Sequence, residues 1–341
     1  MKKIVFLVLL VLVIFASHGF PGKLSVLAEL SNPGVIEIDG DELFVLDDVQ
    51  VYVYSLQDYR FLRKFGKKGE GPGELLPAPD LPITMQVGKE YVLLNSFNKM
   101  IYFTKTGKMI KEKRIPFIVF QVIPFGKNYA VTKFIRTNEG GSQVSLLIFS
   151  AEFKELKNLY ETTLLNDQGK GRIAFPLTSV YIQCLDNQLF LVDQQKEFEI
   201  QRFDLEGNRL TPIKKSYQKI KVTEAYKKES WEWIKLQPAY KNAPDIVKKM
   251  LYFLEYLPVT KNFLAKNNKI YLQTYKTKDS LYEFFILDIN GNVLKTVFLP
   301  GAKKESIRPN PAVTYAFQDN KYYYLEENLD EEEWELHGIT Y

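Results

Sequence analysis

Apolar residues along this chain come in short runs parted by polar turns, and the arrangement returns several times. "YFTKTGKMI" (102–110), "RFDLEGNRL" (202–210) and "ILDINGNVL" (286–294) align without gaps, with Gly107, Gly207 and Gly291 at one position. "IFSAEFKEL" (148–156) follows the pattern with Phe153 in the glycine's place. "YVYSLQDYRFL" (52–62) follows it loosely, with the turn near Asp58. A tight hairpin turn needs positive φ at one or two residues. Glycine adopts that without steric cost, and Asn and Asp tolerate it.

The turns fall at positions 58, 107, 153, 207 and 291. Setting aside about 38 residues inserted before the last, the period is about 46–54 residues, close to that of a propeller blade. Each unit also holds an earlier hairpin. "VIEI" turns at "DGDE" into "LFVLD", "ITMQV" at "GKE" into "YVLLN", "VYIQCL" at "DNQ" into "LFLVD", and "FLA" at "KNNK" into "IYLQTY". One unit therefore reads as four strands, A to D, with the matched turns joining C to D. Nearly continuous apolar runs fit strands covered on both faces. A sixth unit has three strands, "TYAF", "KYYYLEE" and "EWELHGITY". The spare strand "LSVLAEL" (24–30) completes it as the outer edge. The expected fold is all-β: a six-bladed β-propeller closed by its N-terminal strand.

Residues 220–257 break the rhythm. "KVTEAYKKESWEWIKLQ" and "APDIVKKMLYFLEYL" have helical spacing, and Ile246, Val247, Met250, Leu251, Leu254 and Leu257 give the second an apolar face. Asn242 or Asp245 is its expected cap. The insertion reads as a helical hairpin on the rim between blades four and five. Its alternative is a lid whose Trp231 and Trp233 meet a partner.

"FGKKGEGPGELLPAPD" (65–80) joins blade one to blade two. Its glycines lack the Lys-Ser or Lys-Thr of a phosphate loop and the third glycine of a dinucleotide loop. Pro77, Pro79 and Pro82 forbid an ordinary helix after it. The segment "RFLRKFGKKGEGPGELLPAPD" closely resembles the blade-to-blade passage of NHL-repeat-like six-bladed β-propellers, including an exported bacterial group of uncharacterised role. That resemblance implies structural places for Phe65, Gly66, Gly69, Gly71, Pro72, Gly73 and Glu74. No second "GPGE" follows in later blades.

The N-terminus reads differently. Lys2 and Lys3 precede an apolar run from Ile4 to Ala16, too short to span a bilayer, for which about 20 residues are needed. Residues 1–19 are expected to be a cleaved signal peptide, leaving 20–341 as a secreted or periplasmic propeller. The alternative is an uncleaved membrane anchor. The formal charge of +4 falls to +2 without Lys2 and Lys3, giving no electrostatic reason to bind nucleic acid. A monomer is expected, with no stable membrane span after cleavage.

Little in the chain points to catalysis. Beyond residue 19 there is one histidine, His337, and the chain's one cysteine, Cys184, lies in an apolar run. Both read as packed residues, too few for a Cys–His site or a zinc site. Propellers similar to lactonases hold a divalent cation in the channel. On that likeness Asp47, Asp48, Asn95 and Asp193, which follow B strands, are candidate ligands for calcium or another divalent ion; otherwise they cap strand ends. The acidic "ENLDEEEWE" (327–335) lacks the ligand order of a calcium loop. "FIRTNEGGSQ" (134–143) offers Arg136 and Glu139 to a ligand. The expected function is a non-enzymatic binding or scaffold propeller that recognises a protein, peptide or glycan through loops at one face. No cofactor is expected. The alternative is a metal-dependent hydrolase or lyase.

Overall fold

A computed structural model describes residues 22–77, 83–96, 98–136, 142–163, 173–301 and 314–341. The expected signal peptide lies outside the described residues. The first strand, β1 (Gly22–Val26), is set apart from blade one. Blade one is β2 (Pro33–Asp39), β3 (Glu42–Asp47), β4 (Gln50–Ser55) and β5 (Phe61–Phe65). Blade two is β6 (Thr84–Val87), β7 (Tyr91–Asn95), β8 (Lys99–Thr104) and β9 (Met109–Arg114). Blade three is β10 (Gln121–Phe125), β11 (Asn128–Arg136), β12 (Ser142–Phe149) and β13 (Glu155–Thr163). A short β14 (Ile173–Phe175) follows.

Blade four is β15 (Val180–Leu185), β16 (Gln188–Asp193), β17 (Glu199–Phe203) and β18 (Arg209–Lys214). An excursion then carries α1 (Glu224–Leu236), α2 (Pro238–Lys241), α3 (Asp245–Met250) and β19 (Leu251–Phe253). Blade five is β20 (Thr260–Lys266), β21 (Lys269–Lys278), β22 (Leu281–Asp288) and β23 (Val293–Leu299). Blade six is β24 (Tyr315–Gln318), β25 (Lys321–Asn328) and β26 (Glu333–Thr340), with β1 antiparallel on β26 as its outer strand. The ring thus closes as the sequence implies. The backbone of Leu27 donates to the carbonyl of Trp334 at 2.8 Å, and Lys23 pairs with Glu335 at 2.7 Å.

The apolar interior is divided into wedges between neighbouring blades. Phe44 and Leu46 pack toward Leu94 and Ile101 of blade two, whereas Leu43 and Val45 of the same strand pack toward blade six. Successive strand residues point to opposite faces, so "LFVL" is apolar throughout because both faces are covered. Outer strands tie the first three wedges at the rim. Arg63 donates to the carbonyl of Lys105 at 2.9 Å, Lys113 to that of Ala151 at 2.7 Å, and Lys157 to that of Glu206 at 3.1 Å.

The five C-to-D turns all use positive φ: Tyr59, Gly107, Phe153, Gly207 and Gly291. Just beyond four of these turns, each outer strand carries a bulge. The extra residues, Leu62, Ile110, Leu156 and Leu294, are exposed on the circumference.

The second inserted helix departs from expectation. It stops at Met250 rather than running to Leu257. Residues 251–253 instead pair in parallel with residues 173–175. Aromatic Tyr252 and Phe253 suit a pleated surface, and the available strand edge overrides the helical period. Neither Asn242 nor Asp245 caps α3. Pro244 stands at the cap without a side-chain hydrogen bond, and Asp245 opens the first turn.

Candidate functional site: the decorated face

Antiparallel blades place the A–B and C–D turns on one side of the ring and the B–C turns and blade crossings on the other. The first side is plain. Two-residue turns with positive φ, Asp186-Asn187, Asn267-Asn268 and Asp319-Asn320, close its A–B hairpins. Both Gly22 and Tyr341 lie on this side, at the start of the outer strand and just past the end of β26. The second side carries the elaborations, among them the glycine crossing and the helical excursion.

The glycine crossing is closed upon itself. The Glu74 carboxylate accepts from the backbone of Gly71 at 3.0 Å and from the ammonium of Lys67. Gly73 N–H donates to Glu112 at 2.8 Å, and Lys68 pairs with Asp48 at 3.1 Å. Lys99 donates to the carbonyls of Gly71 and Glu74 at 3.2 and 3.0 Å. The Lys67 hydrogen bond, followed by the Gly71 amide, holds the Glu74 carboxyl below the usual glutamate range. The amides and cations that a phosphate would use are therefore already engaged. Gly66 adopts φ +91°, and a Cβ there would stand 2.5 Å from the Val49 carbonyl oxygen. Pro72 is exposed at the corner.

The excursion leaves the ring on a two-stranded stem. Val222 N–H donates to Glu255 at 2.9 Å, and Leu257 N–H donates to Ile220 at 2.8 Å. Thr223 caps α1 by accepting from Tyr226 N–H. Glu224 in the first turn and Lys235 in the last complement the helix dipole. The parallel pairing of β14 and β19 links the excursion to the crossing before blade four. Trp231 packs on Phe253 at 5.7 Å and Tyr240 at 6.1 Å, and Trp233 on Phe175 at 6.3 Å. The two tryptophans are half-buried and grip the β14–β19 pair. Among the described side chains of the excursion, Leu236 and Tyr256 are large apolar residues left exposed.

The four residues considered for a metal have separate engagements. Buried Asp47 accepts from the backbones of Ser31 and Asn32, pinning the chain as it enters blade one. Asp48 holds Lys68. Asn95 donates to Thr84 and to the carbonyl of Val122 in the next blade, at 3.3 and 3.2 Å. Buried Asp193 accepts from Tyr160 at 2.8 Å and Gln195 N–H at 2.9 Å. Among the described residues, no group of three or more His, Cys, Asp or Glu is placed to hold a metal ion. Arg136 ends β11, with its side chain outside the described residues, as is Glu139 entirely.

Sequence reasoning missed a buried polar knot in blade five. The hydroxyl of Tyr217, from the crossing before blade five, donates to Glu283 at 3.0 Å and lies 3.0 Å from the Thr274 hydroxyl; Lys276 pairs with Glu283 at 2.9 Å. Burial, with the Glu283 charge nearby, pushes the Tyr217 hydroxyl up to about 12. Nothing in local spacing marks Tyr217, because its partners lie on the second and third strands of blade five.

A cavity of about 530 Å³ runs along the axis, lined by inner strands of all six blades. Lys266 and Glu37 meet within it at 3.0 Å. Cys184 also lines it, and burial with neighbouring Asp186 pushes its thiol up to about 11. His337 is remote from the axis, stacked on Tyr324 at 5.0 Å and 3.0 Å from Glu335. Its position in the closing blade fits the packed residue expected. Among the described residues, no helix is long and apolar enough to cross a membrane.

The model of the family DUF5128, described as "6-bladed beta-propeller", matches residues 27–252. No curated protein matches the sequence. Solved structures with a similar course include the β-propeller domain of Myceliophteria thermophila Cps50 (Swd1), at 12% identity and TM-score 0.43, covering 93% of this chain and 99% of that one. A member of the DUF4221 family from Bacteroides vulgatus matches at 11% identity and TM-score 0.47, covering 94% and 95%. The Neurospora crassa Pan2 WD40 domain matches at 7% identity and TM-score 0.41, covering 93% and 95%. At these scores the likenesses carry no functional argument.

Proposed function

We propose, for a chain that belongs to the DUF5128 family of six-bladed β-propellers, a non-enzymatic binding scaffold that recognises a protein, peptide or glycan partner through its decorated face. One observation carries the reading. The ring varies where blades cross, through the excursion on its stem and the closed glycine corner, while the opposite side keeps minimal turns. Loops on a rigid scaffold are where recognition concentrates. The engagement of Asp47, Asp48 and Asp193 in internal hydrogen bonds supports binding over channel-metal chemistry. The basic start and apolar run of residues 1–19 support export, and the "GEGPGE" crossing supports a relation to NHL-repeat-like propellers.

The stem makes a clean test. Replacing residues 223–254 by a short Gly-Ser turn between Val222 and Glu255 removes the excursion and leaves the blades. The intact chain and this variant would be compared on peptide and glycan arrays. A ligand held by the intact chain and lost by the variant, at unchanged thermal stability of the ring, is the expected result. Turnover of a lactone, ester or glycoside panel with added divalent cation would contradict the proposal.

A further inference from the structure

Among the described residues, no further strand pairs with the six outer strands, which form the edges of the blades; such edges are usually protected by charge, proline or brevity. Here the protection is uneven. β5 contains Arg63 and Lys64, β9 has four charged residues, and β13 has three. β18 has Arg209, Lys214 and Pro212, and β1 is a five-residue strand opening on Gly22 and Lys23. β23, "VLKTVFL", has five apolar residues of seven and a single charge. That charge is drawn aside, because the Lys295 ammonium lies 5.6 Å from the Tyr341 ring of blade six. Val293 and Leu294 are 44% and 54% exposed. The bulge at Leu294 recurs in blades one to three and does not set this strand apart.

We propose that β23 is a self-association edge, pairing antiparallel with β23 of a second copy of this chain to join two fifth blades into one eight-stranded sheet. A second copy fits because the strand is self-complementary. With the twofold at Thr296, Val293 stands opposite Leu299, Leu294 opposite Phe298, and Lys295 opposite Val297, so no like charges face each other directly. The chain's formal charge of only +4 offers little long-range repulsion between copies. A lone strand pair buries less than the roughly 1,200–2,000 Å² of a stable interface, so the dimer is concentration-dependent rather than obligate. This replaces the monomer expected from sequence and is independent of the decorated face.

Sedimentation velocity and light scattering on the full chain test it. The expected result is an apparent mass that doubles as concentration rises toward about the millimolar range. Val293→Lys combined with Thr296→Lys, both at exposed positions, keeps the mass at one copy with unchanged circular dichroism. Leu62→Lys on β5 leaves the doubling intact. As an independent measurement, Thr296→Cys in a Cys184→Ser background gives a disulfide-linked dimer under mild oxidation, and Ile110→Cys on β9 does not. A wild-type chain of single mass throughout overturns the proposal, including one whose β23 captures an unrelated extended peptide. So does a dimer that survives the double lysine variant.

Discussion

A Cβ placed on Gly107 would stand 2.8 Å from Cβ of Phe65, the last residue of the preceding blade's outer strand. The same relation joins Gly207 to Leu159 and Gly291 to Ile213, at 2.8 and 2.6 Å. The turn glycine therefore serves two ends. It supplies positive φ, and it lets one blade's hairpin sit on the preceding blade's rim.

Gly107→Ala, Gly207→Ala and Gly291→Ala are each expected to destabilise the ring by about 2–4 kcal/mol, combining the left-handed backbone cost with overpacking. Gly40→Ala is the control. It has positive φ but nothing within 4 Å of the added atom, so only about 1–2 kcal/mol is expected. Urea unfolding monitored by tryptophan fluorescence separates the two costs.

The closing strand is testable through its burial. Leu27 is fully buried in the wedge between blades six and one. Leu27→Ala should cost about 2–5 kcal/mol, as for a buried leucine in a core that cannot collapse. Exposed Lys23→Ala should have a far smaller effect, since its pair with Glu335 is a surface contact. Equal effects of the two in denaturant titrations would show that the strand is held by charge rather than packing.

Acid should loosen the glycine corner. The Glu74 carboxyl titrates below its unfolded value, so the stability it supplies is present above about pH 4.3 and lost as pH falls through the lowered folded value. Exchange protection at Gly69 and Gly71 is expected to fall with acidification in the wild type. Glu74→Gln should show low protection at Gly71 with little dependence on pH.

The excursion should yield without the ring. Trp231→Ala removes the aromatic contact with Phe253, worth about 0.5–1.5 kcal/mol beyond the buried area. Limited proteolysis is expected to speed up within residues 223–254 while the blades stay resistant. Simultaneous cleavage inside blades four and five would mean that the excursion is part of the ring's cooperative unit.

Blade number, the hairpins and closure were legible because they rest on local signals: glycine turns, alternating cover and a spare strand at one end. Even where glycine is absent the turn held its shape. Phe153 takes φ +60° and is stacked on Tyr129 at 5.1 Å. The β14–β19 pair was not legible, because its two halves flank an entire blade and residues 251–253 continue a helical period. Trp231 and Trp233 were visible as a helical pair, but their half-buried packing depends on that unseen partner strand. The Tyr217–Glu283 knot was hidden for the same reason, since only the folded ring brings its residues together.

Because Gly22 and Tyr341 sit on the plain side, a fused tag or an immobilising support at either one attaches behind the binding surface proposed for the opposite side. Captured on a sensor chip through either residue, the ring would turn its helices and glycine corner toward the analyte, and two different handles would give one presentation.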